Sequence, residues 1–235
     1  MSKDTTKSMT EGSPFKLIMN FALPVFFGLL FQQLYSMIDT MIVGKFLGED
    51  ALGAVGATGS LNFLIIGFCA GVCNGFSIPV AHQFGAKKDS NLRRVVANSI
   101  WLCLVFAAVM TVITVLFCRN ILTFMRTPAD LIDDSYRYIV IIFAGIPIVY
   151  LYNMTAGIIR SLGDSRTPVY FLALASIINI ILDVTFICAF HTGVEGAAYA
   201  TVISQAVSGI SCVIYMKKKF PILKISREEW AFDSK

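Results

Sequence analysis

Two aspartates stand inside long apolar segments of this sequence. Asp39 lies within the apolar stretch 35–42, and Asp183 lies within the stretch 179–185. A lone carboxylate at membrane depth is costly unless it is paired, hydrated or protonated, so an intramembrane acid is by default a candidate functional group. Aspartate is also too short to reach the membrane surface easily from such a position. We therefore predict that Asp39 and Asp183 do more than pack.

Counting along the apolar segments places further polar side chains at the same depth. The residues that border the outer ends of the predicted segments are Leu47, His191 and Gly193. Asp39 lies eight residues before the first, Asp183 eight before the second, and Thr201 eight after the third. At about 1.5 Å per helical residue, all three are about 12 Å below those ends. Asn179 lies one turn before Asp183 on the same helix face. The four residues are predicted to converge on one site.

Two chemistries suit such a cluster. A carboxyl group that is shielded from water and faces a second carboxylate can bind and release a proton near neutral pH. The same oxygens, together with those of Asn179 and Thr201, can instead ligate a small hard cation such as Na⁺. The residues leave both alternatives open, and they point to no other metal or cofactor. Because no Walker motif is present in a credible context, transport is expected to be driven by ions rather than ATP.

Enzymatic chemistry finds little support in this sequence. No HExxH, GxSxG or GxGxxG motif stands in a credible context, and no nucleophile, base and orienting group occur at a shared depth. The six cysteines all fall within apolar runs, which is unlike a disulfide framework or a zinc site. We expect the protein not to be an enzyme.

The composition shows which elements must position the cluster. Of the 235 residues, 56% are apolar and 14% are charged, and the mean hydropathy is +0.73, whereas soluble domains have about 45–50% apolar and about 25% charged residues. Each long apolar run exceeds the roughly 20 residues that span a membrane as a helix. The sequence thus predicts an all-α polytopic membrane protein, a bundle of six transmembrane helices at 15–46, 51–84, 95–118, 136–159, 167–190 and 194–216.

The distribution of basic residues predicts the orientation of this bundle. Fifteen of the 19 Lys and Arg residues fall on the side that carries both termini, and four fall on the other side. The positive-inside rule therefore places both termini in the cytoplasm and the protein in the cytoplasmic (plasma or inner) membrane. Topology and contact with anionic lipids explain the basic clusters without a nucleic-acid partner. Residues 1–14 are predicted to be a cytoplasmic segment, 15–216 the helical unit, and 217–235 a basic tail or linker.

Other residues in the spans have a less specific signal. Several polar side chains could either line a cavity or join helices by hydrogen bonds; they include Gln32, Gln33, Asn153 and Gln205. The glycine-rich second span is expected to allow close helix approach. Prolines interrupt helical hydrogen bonding, and of these Pro24 matters most because it shares a span with Asp39.

These motifs together resemble the multidrug and toxic compound extrusion (MATE) transporters. The similarity covers essentially the whole chain, and the order and spacing of the matching strings make it specific. The strings are EGSP (11–14), FALP (21–24), QQLY (32–35), DT (39–40), VG (43–44), ALGAVG (51–56), QFGA (83–86), RSLGD (160–164), NIILD (179–183) and GVEGAAYAT (193–201).

The resemblance implies a cation-coupled antiporter, driven by H⁺ or Na⁺, that exports cationic amphipathic drugs and toxic compounds. In that family the positions matching Asp39, Asn179, Asp183 and Thr201 form the cation or proton site of the N-terminal lobe. Tyr35 and Tyr138 match tyrosines near this network. Pro24 matches a proline proposed to bend the first helix when the protonation of the site changes.

The length of the chain departs from the family pattern. MATE transporters have two six-helix lobes, and the substrate path of such parallel repeats lies between them. This chain matches one lobe. We expect either a truncated product, which we favour, or a natural half that pairs with a second copy or a separate chain.

Two alternatives to drug export stay open. A lipid-linked oligosaccharide flippase shares the general architecture but resembles a protein with a basic central cavity, and no Lys or Arg lies in the middle of a span here. A non-transporting membrane half-protein that only docks a partner belongs to a different functional class.

Overall fold

A computed structural model describes residues 13–224 of the chain. The predictions for residues 1–12 and 225–235, which include most of the N-terminal segment and of the basic tail, lie outside the described residues. The described part is helical and contains no strand. Its helices are α1 (Pro14–Leu47), α2 (Glu49–Gly85), α3 (Asp89–Leu116), α4 (Cys118–Phe124), α5 (Ile132–Ala144), α6 (Ile146–Ser161), α7 (Thr167–Val184) and α8 (Val194–Lys219).

Six membrane spans account for this architecture, as the sequence predicts. Five are single long apolar helices, and the sixth is the pair α5–α6, which is bent by 44°. The bend falls at Gly145, just before Pro147, where proline removes a backbone donor from the helical ladder. Helix α1 continues through Pro24 without a break. A bend at Pro24 thus stays a prediction, while the broken span lies elsewhere.

The helix ends show small differences from the predicted boundaries. Helix α8 extends through Lys217–Lys219, which the sequence assigns to the tail. A short π-helical segment (Thr185–Ala189) follows α7 and completes the fifth span. Gly48 alone separates α1 from α2, with φ of 93°, a left-handed conformation that glycine adopts without strain. Such short links force neighbouring spans to run antiparallel.

The distribution of exposed side chains fits a hydrocarbon solvent. Large apolar residues such as Phe63 (83% exposed) and Leu116 (72% exposed) cover the outside of the bundle. In water a surface of this kind would be unfavourable, whereas lipid chains cover it at no such cost. The six cysteines are free and belong to the bundle rather than to a disulfide framework. The chain is a multi-pass membrane protein.

Helices α2, α6 and α8 form the centre of the bundle, and α1 joins it through α7. Gly157 on α6 faces α2 so closely that an added Cβ would overlap the Ser77 hydroxyl. The predicted role of glycines in the second span is mostly wrong, because a Cβ at Gly56, Gly59 or Gly67 would meet nothing within 4 Å. The close approach between α2 and α6 therefore depends on the glycine of α6.

The link between α6 and α7 ties three helices together through one carboxylate. Asp164, which is 5% exposed, accepts hydrogen bonds from the backbone N–H groups of Arg166 (3.2 Å) and Thr167 (3.0 Å) at the start of α7. Its second oxygen accepts from the Thr167 hydroxyl (2.7 Å) and from the Tyr215 hydroxyl of α8 (2.8 Å). Asp164 thus caps α7 and fixes its N-terminal end against α8.

Candidate functional site

The two intramembrane aspartates meet inside the bundle. Asp39 of α1 is 5% exposed and Asp183 of α7 is fully buried. Their carboxyl groups face each other at hydrogen-bonding range. Ionised carboxylates only accept hydrogen bonds, so two of them at this range repel each other unless a proton or cation lies between them. The depth count along the two spans thus placed them correctly.

The oxygens of this pair lack fixed donors. Neither oxygen of Asp183, nor Oδ1 of Asp39, has a hydrogen-bond partner among the described residues. Buried acceptors without partners are costly in a folded protein. The arrangement is therefore suited to a small positive ion, which would satisfy several of these oxygens at once.

Asn179 and Thr201 complete the cluster from α7 and α8. Asn179 lies one turn before Asp183 and is 1% exposed, and its Nδ2 donates to Thr201 Oγ1 over 3.5 Å. This long bond leaves Oδ1 of Asn179 as another buried oxygen without a donor. All four predicted residues thus come together, and four unsatisfied oxygens are concentrated on Asp39, Asn179 and Asp183.

Two tyrosines adjoin the carboxyl pair. Tyr35 lies one turn before Asp39 on α1, and its hydroxyl is within hydrogen-bonding reach of Gln205 and Gln32. Tyr138 of α5 is 6% exposed and lies beside both aspartates and Tyr35. Their predicted position next to the network agrees with the structure. Their role in it stays a prediction.

A cavity of about 570 Å³ lies on the cytoplasmic side of the carboxyl pair in the predicted topology. Most of its wall surface is apolar, and about half of the lining residues also bring a polar side chain to it. Small-molecule sites combine apolar walls with polar groups in this way. Tyr35 and Asn179 line it, whereas Asp39 and Asp183 lie one turn further along the same helices and do not. A layer that contains Tyr35 and Asn179 therefore separates the carboxyl pair from the cavity.

Three of the four predicted lining residues face this cavity. Gln32, Asn153 and Gln205 contribute to its walls. Gln33 does not, because it is the next residue after Gln32 on α1 and points about 100° away around the helix, to the exposed side. The prediction that Gln33 lines the cavity is wrong.

Arg160 also lines the cavity, which the sequence does not predict. It lies in the last turn of α6, outside the middle of the span, but the cavity extends to this turn and Arg160 forms part of its wall. No Lys or Arg lies in the middle of a span, as the sequence indicates, but this basic side chain at a span end nevertheless borders the cavity. Its Nη2 donates to Asn74 Oδ1 over 3.2 Å.

Ser204, Ser208 and Tyr152 also line the cavity without having been predicted. Serine is small and common at helix interfaces in membranes, so its presence in α8 does not by itself mark a cavity wall. A spacing of four residues between Ser204 and Ser208 does place them on one face of the helix. That spacing is the one signal in the sequence that indicates a shared surface.

Comparison with known proteins confirms the resemblance to MATE transporters. The MatE family profile matches residues 24–185. The chain is 33% identical over 218 residues to the probable multidrug resistance protein YoeA of Bacillus subtilis strain 168, covering 91% of this chain and 47% of YoeA. It is 30% identical over 216 residues to the probable multidrug resistance protein YpnP of the same strain, covering 89% of this chain and 47% of YpnP.

The fold agrees with a solved transporter as well. A crystal structure of MATE in the bent conformation aligns with a TM-score of 0.90 and 26% identity, covering all of this chain and 52% of that one. The chain spans about half the length of the curated relatives it matches. Since the family profile covers more than half of the chain and the fold agrees, the protein belongs to the MatE family and corresponds to the N-terminal six-helix lobe of a MATE transporter.

Proposed function

We propose that this chain forms one half of a cation-coupled antiporter that exports cationic amphipathic drugs and toxic compounds across the cytoplasmic membrane, with both termini in the cytoplasm. The observation that carries the proposal is the facing pair Asp39–Asp183, whose buried oxygens lack donors and which lies one turn from a drug-sized cavity. Relatives that are named as multidrug resistance proteins support the class of cargo.

The carboxyl pair acts as the site of the coupling ion, H⁺ or Na⁺. A proton on one carboxyl lets it donate to the other, and Na⁺ would instead be held by oxygens of Asp39, Asn179, Asp183 and Thr201. Either ion removes the repulsion between α1 and α7. Loss of the ion restores it. The two helices also form cavity walls, so ion binding and cargo binding affect the same packing.

The cavity supplies the cargo site in this lobe. Its apolar surface accepts the hydrophobic body of an amphipathic compound, and the rings of Phe21, Tyr35 and Tyr152 offer faces that attract cations. Gln32 and Gln205 add hydrogen-bonding groups near the layer below the carboxyl pair. No further cofactor is needed for this mechanism.

Two partners complete the proposed transporter. The first is a second six-helix lobe, supplied by a continuous chain, another copy or a separate protein, because relatives are about twice as long as this chain. The second is membrane lipid, which covers the remaining exposed apolar face. Helix α1 is largely exposed, including Phe26 (59%) and Leu29 (62%). Either the second lobe or membrane lipid must cover this apolar face.

A hybrid transporter tests the proposal. Residues 13–224 replace the corresponding half of YoeA, the hybrid is expressed in bacteria that lack their own drug pumps, and ethidium efflux is measured under imposed H⁺ or Na⁺ gradients. Asp39→Asn and Asp183→Asn should each abolish gradient-driven efflux. Asp130→Asn, at an exposed loop carboxylate, is the matched control and should leave it unchanged. Normal efflux by both site variants at matched expression refutes the proposal.

A second candidate function follows from Arg160. A basic side chain on the cavity wall is a feature expected of flippases for lipid-linked oligosaccharides, whose cargo carries phosphate. Vesicles containing the hybrid and a fluorescent lipid-linked oligosaccharide distinguish the two functions. Export of ethidium without translocation of the lipid favours the drug antiporter.

A further inference from the structure

Arg160 is a cation without an acidic partner on the wall of the cavity. It is half-buried, and its described hydrogen bond is to the neutral side chain of Asn74. Within residues 13–224, no carboxylate forms an ion pair with it. The other described residues that line the cavity are uncharged. The net charge of the cavity wall is therefore positive.

The usual roles of an arginine at the end of a membrane helix do not explain why the Arg160 side chain points toward α2. A cation in the last turn of a helix is favourable with the helix dipole, and arginine near a membrane surface extends its head group toward water. Arg160 instead reaches from α6 to Asn74 on α2. Only one of the five N–H donors of its guanidinium has a described acceptor. The rest of the group is available to a ligand.

A second polar group without a partner lies on the same cavity. Ser208 of α8 is 2% exposed, its hydroxyl has no hydrogen-bond partner among the described residues, and it lines the cavity. Cys212, one turn further along α8, lies within electrostatic range of Arg160. Ser208 precedes Cys212 by four residues, or about 6 Å along the helix axis, which is within the span of a small ligand.

We infer that Arg160, with Asn74 and Ser208, forms an anion subsite that binds the acidic group of an amphipathic cargo molecule. A guanidinium and a hydroxyl are donors that suit a carboxylate or phosphate group, and the apolar remainder of the cavity takes the body of the molecule. The inference rests on the proposed function, because it assumes that the cavity is the cargo site. It deepens that function by predicting that, among amphipathic cations, those that also carry an acidic group bind more tightly.

Two fluorescent dyes that differ in one group test the subsite. Rhodamine 110 is a zwitterion with a free carboxylate, and rhodamine 123 is its methyl ester, a cation of almost the same shape. Binding of each to the purified full-length 235-residue chain in neutral detergent is measured by fluorescence anisotropy. We expect rhodamine 110 to bind about tenfold more tightly, the effect of one charge-assisted hydrogen-bonded pair. This comparison needs no variant.

Variants assign the preference to Arg160. Arg160→Gln keeps a hydrogen-bonding side chain without the charge and should bring the two dye affinities within about twofold of each other. Arg160→Lys keeps the charge and should retain part of the preference. Arg166→Gln is the matched control, because Arg166 is exposed and lies outside the cavity lining; it should preserve the preference. Folding of each variant is checked by size-exclusion chromatography.

Several outcomes overturn the subsite. Equal affinities of the two dyes for the unmodified chain, no binding of either dye, or a preference that survives Arg160→Gln would each do so. Nanodiscs of zwitterionic phosphatidylcholine and anionic phosphatidylglycerol distinguish a second source of the anion. If phosphatidylglycerol removes the dye preference of the unmodified chain but leaves the two dye affinities of Arg160→Gln unchanged, an anionic lipid head group competes for Arg160, which supports the subsite. If the aspartate variants abolish coupled efflux while no dye preference exists, the subsite fails and the antiporter stands. If the dye preference depends on Arg160 while both aspartate variants keep normal efflux, the coupling role of the aspartates fails and the subsite stands.

Discussion

Replacing Asp164 should destabilise the bundle more than any exposed substitution. Its two oxygens accept four hydrogen bonds, from Arg166 N, Thr167 N, Thr167 Oγ1 and Tyr215 Oη. Asp164→Ala removes all four and opens space in a buried loop. Loss of a helix cap alone costs about 0.5–2 kcal/mol, and a hydrogen bond to a charged group contributes about 1.5–3 kcal/mol. Because these terms are not additive, we expect a loss of about 3–5 kcal/mol in the free energy of unfolding.

Unfolding in mixed micelles of dodecyl sulfate, followed by tryptophan fluorescence or circular dichroism, measures this loss. Asp164→Asn keeps the Oδ1 acceptor for the α7 backbone and places an amide donor opposite the two hydroxyls, which can accept. It should therefore cost about 1–2 kcal/mol. Tyr215→Phe removes one of the four bonds and should cost about 1 kcal/mol.

A double-mutant cycle between Asp164 and Tyr215 isolates the bond that joins the two helices. The coupling energy should be about 1 kcal/mol or more, the range seen for residues in direct contact. Additive effects of the two substitutions would contradict the bond. If Asp164→Ala lowers the free energy of unfolding by less than about 1 kcal/mol, Asp164 does not fix α7 against α8.

The remaining predictions concern packing, cavity lining and the surface. Gly145→Ala should cost about 1–3 kcal/mol, because its Cβ would lie 2.7 Å from Val202 Cγ2; unfolding should show partial rescue by Val202→Ala. Gln32→Ala should weaken rhodamine 123 binding by about two- to tenfold, whereas Gln33→Ala should leave it unchanged, as measured by anisotropy. Arg119→Ala breaks an ion pair of 2.9 Å between exposed side chains and should change the free energy of unfolding by less than about 1 kcal/mol.

The depth of a polar residue in a membrane span can be predicted from sequence because the helical rise is constant. Eight residues from the end of one span correspond to eight residues from the end of another, and this count brought Asp39, Asp183 and Thr201 to one level. Most ends of the long apolar helices lie within four residues of the predicted boundaries, whereas α3 begins at Asp89, six residues before the predicted start. The break at Gly145 is harder to predict from sequence. Pro24, Pro79 and Pro147 all occur within apolar runs, and only the packing decides which proline breaks its helix.

The direction in which a side chain points is not predictable from one span alone. Gln32 and Gln33 are identical in type and adjacent in sequence, yet only one faces the cavity. In water the apolar stripe of a helix would reveal its inner face. Here both faces are apolar, because one meets lipid and the other meets neighbouring helices. The same ambiguity explains why the glycines of α2 were assigned to helix contacts and why Arg160 was not assigned to the cavity.

The arrangement of the two sites along shared helices makes a short coupling route sufficient. Helix α1 carries Gln32 and Tyr35 on the cavity and Asp39 in the carboxyl pair; helix α7 carries Asn179 on the cavity and Asp183 in the pair. A change of charge between the carboxyl groups alters the force that separates α1 from α7, and that separation also sets the width of the cavity. In the proposed antiporter, ion and cargo thus influence each other through one helix–helix distance, with no need for a relay across the rest of the bundle.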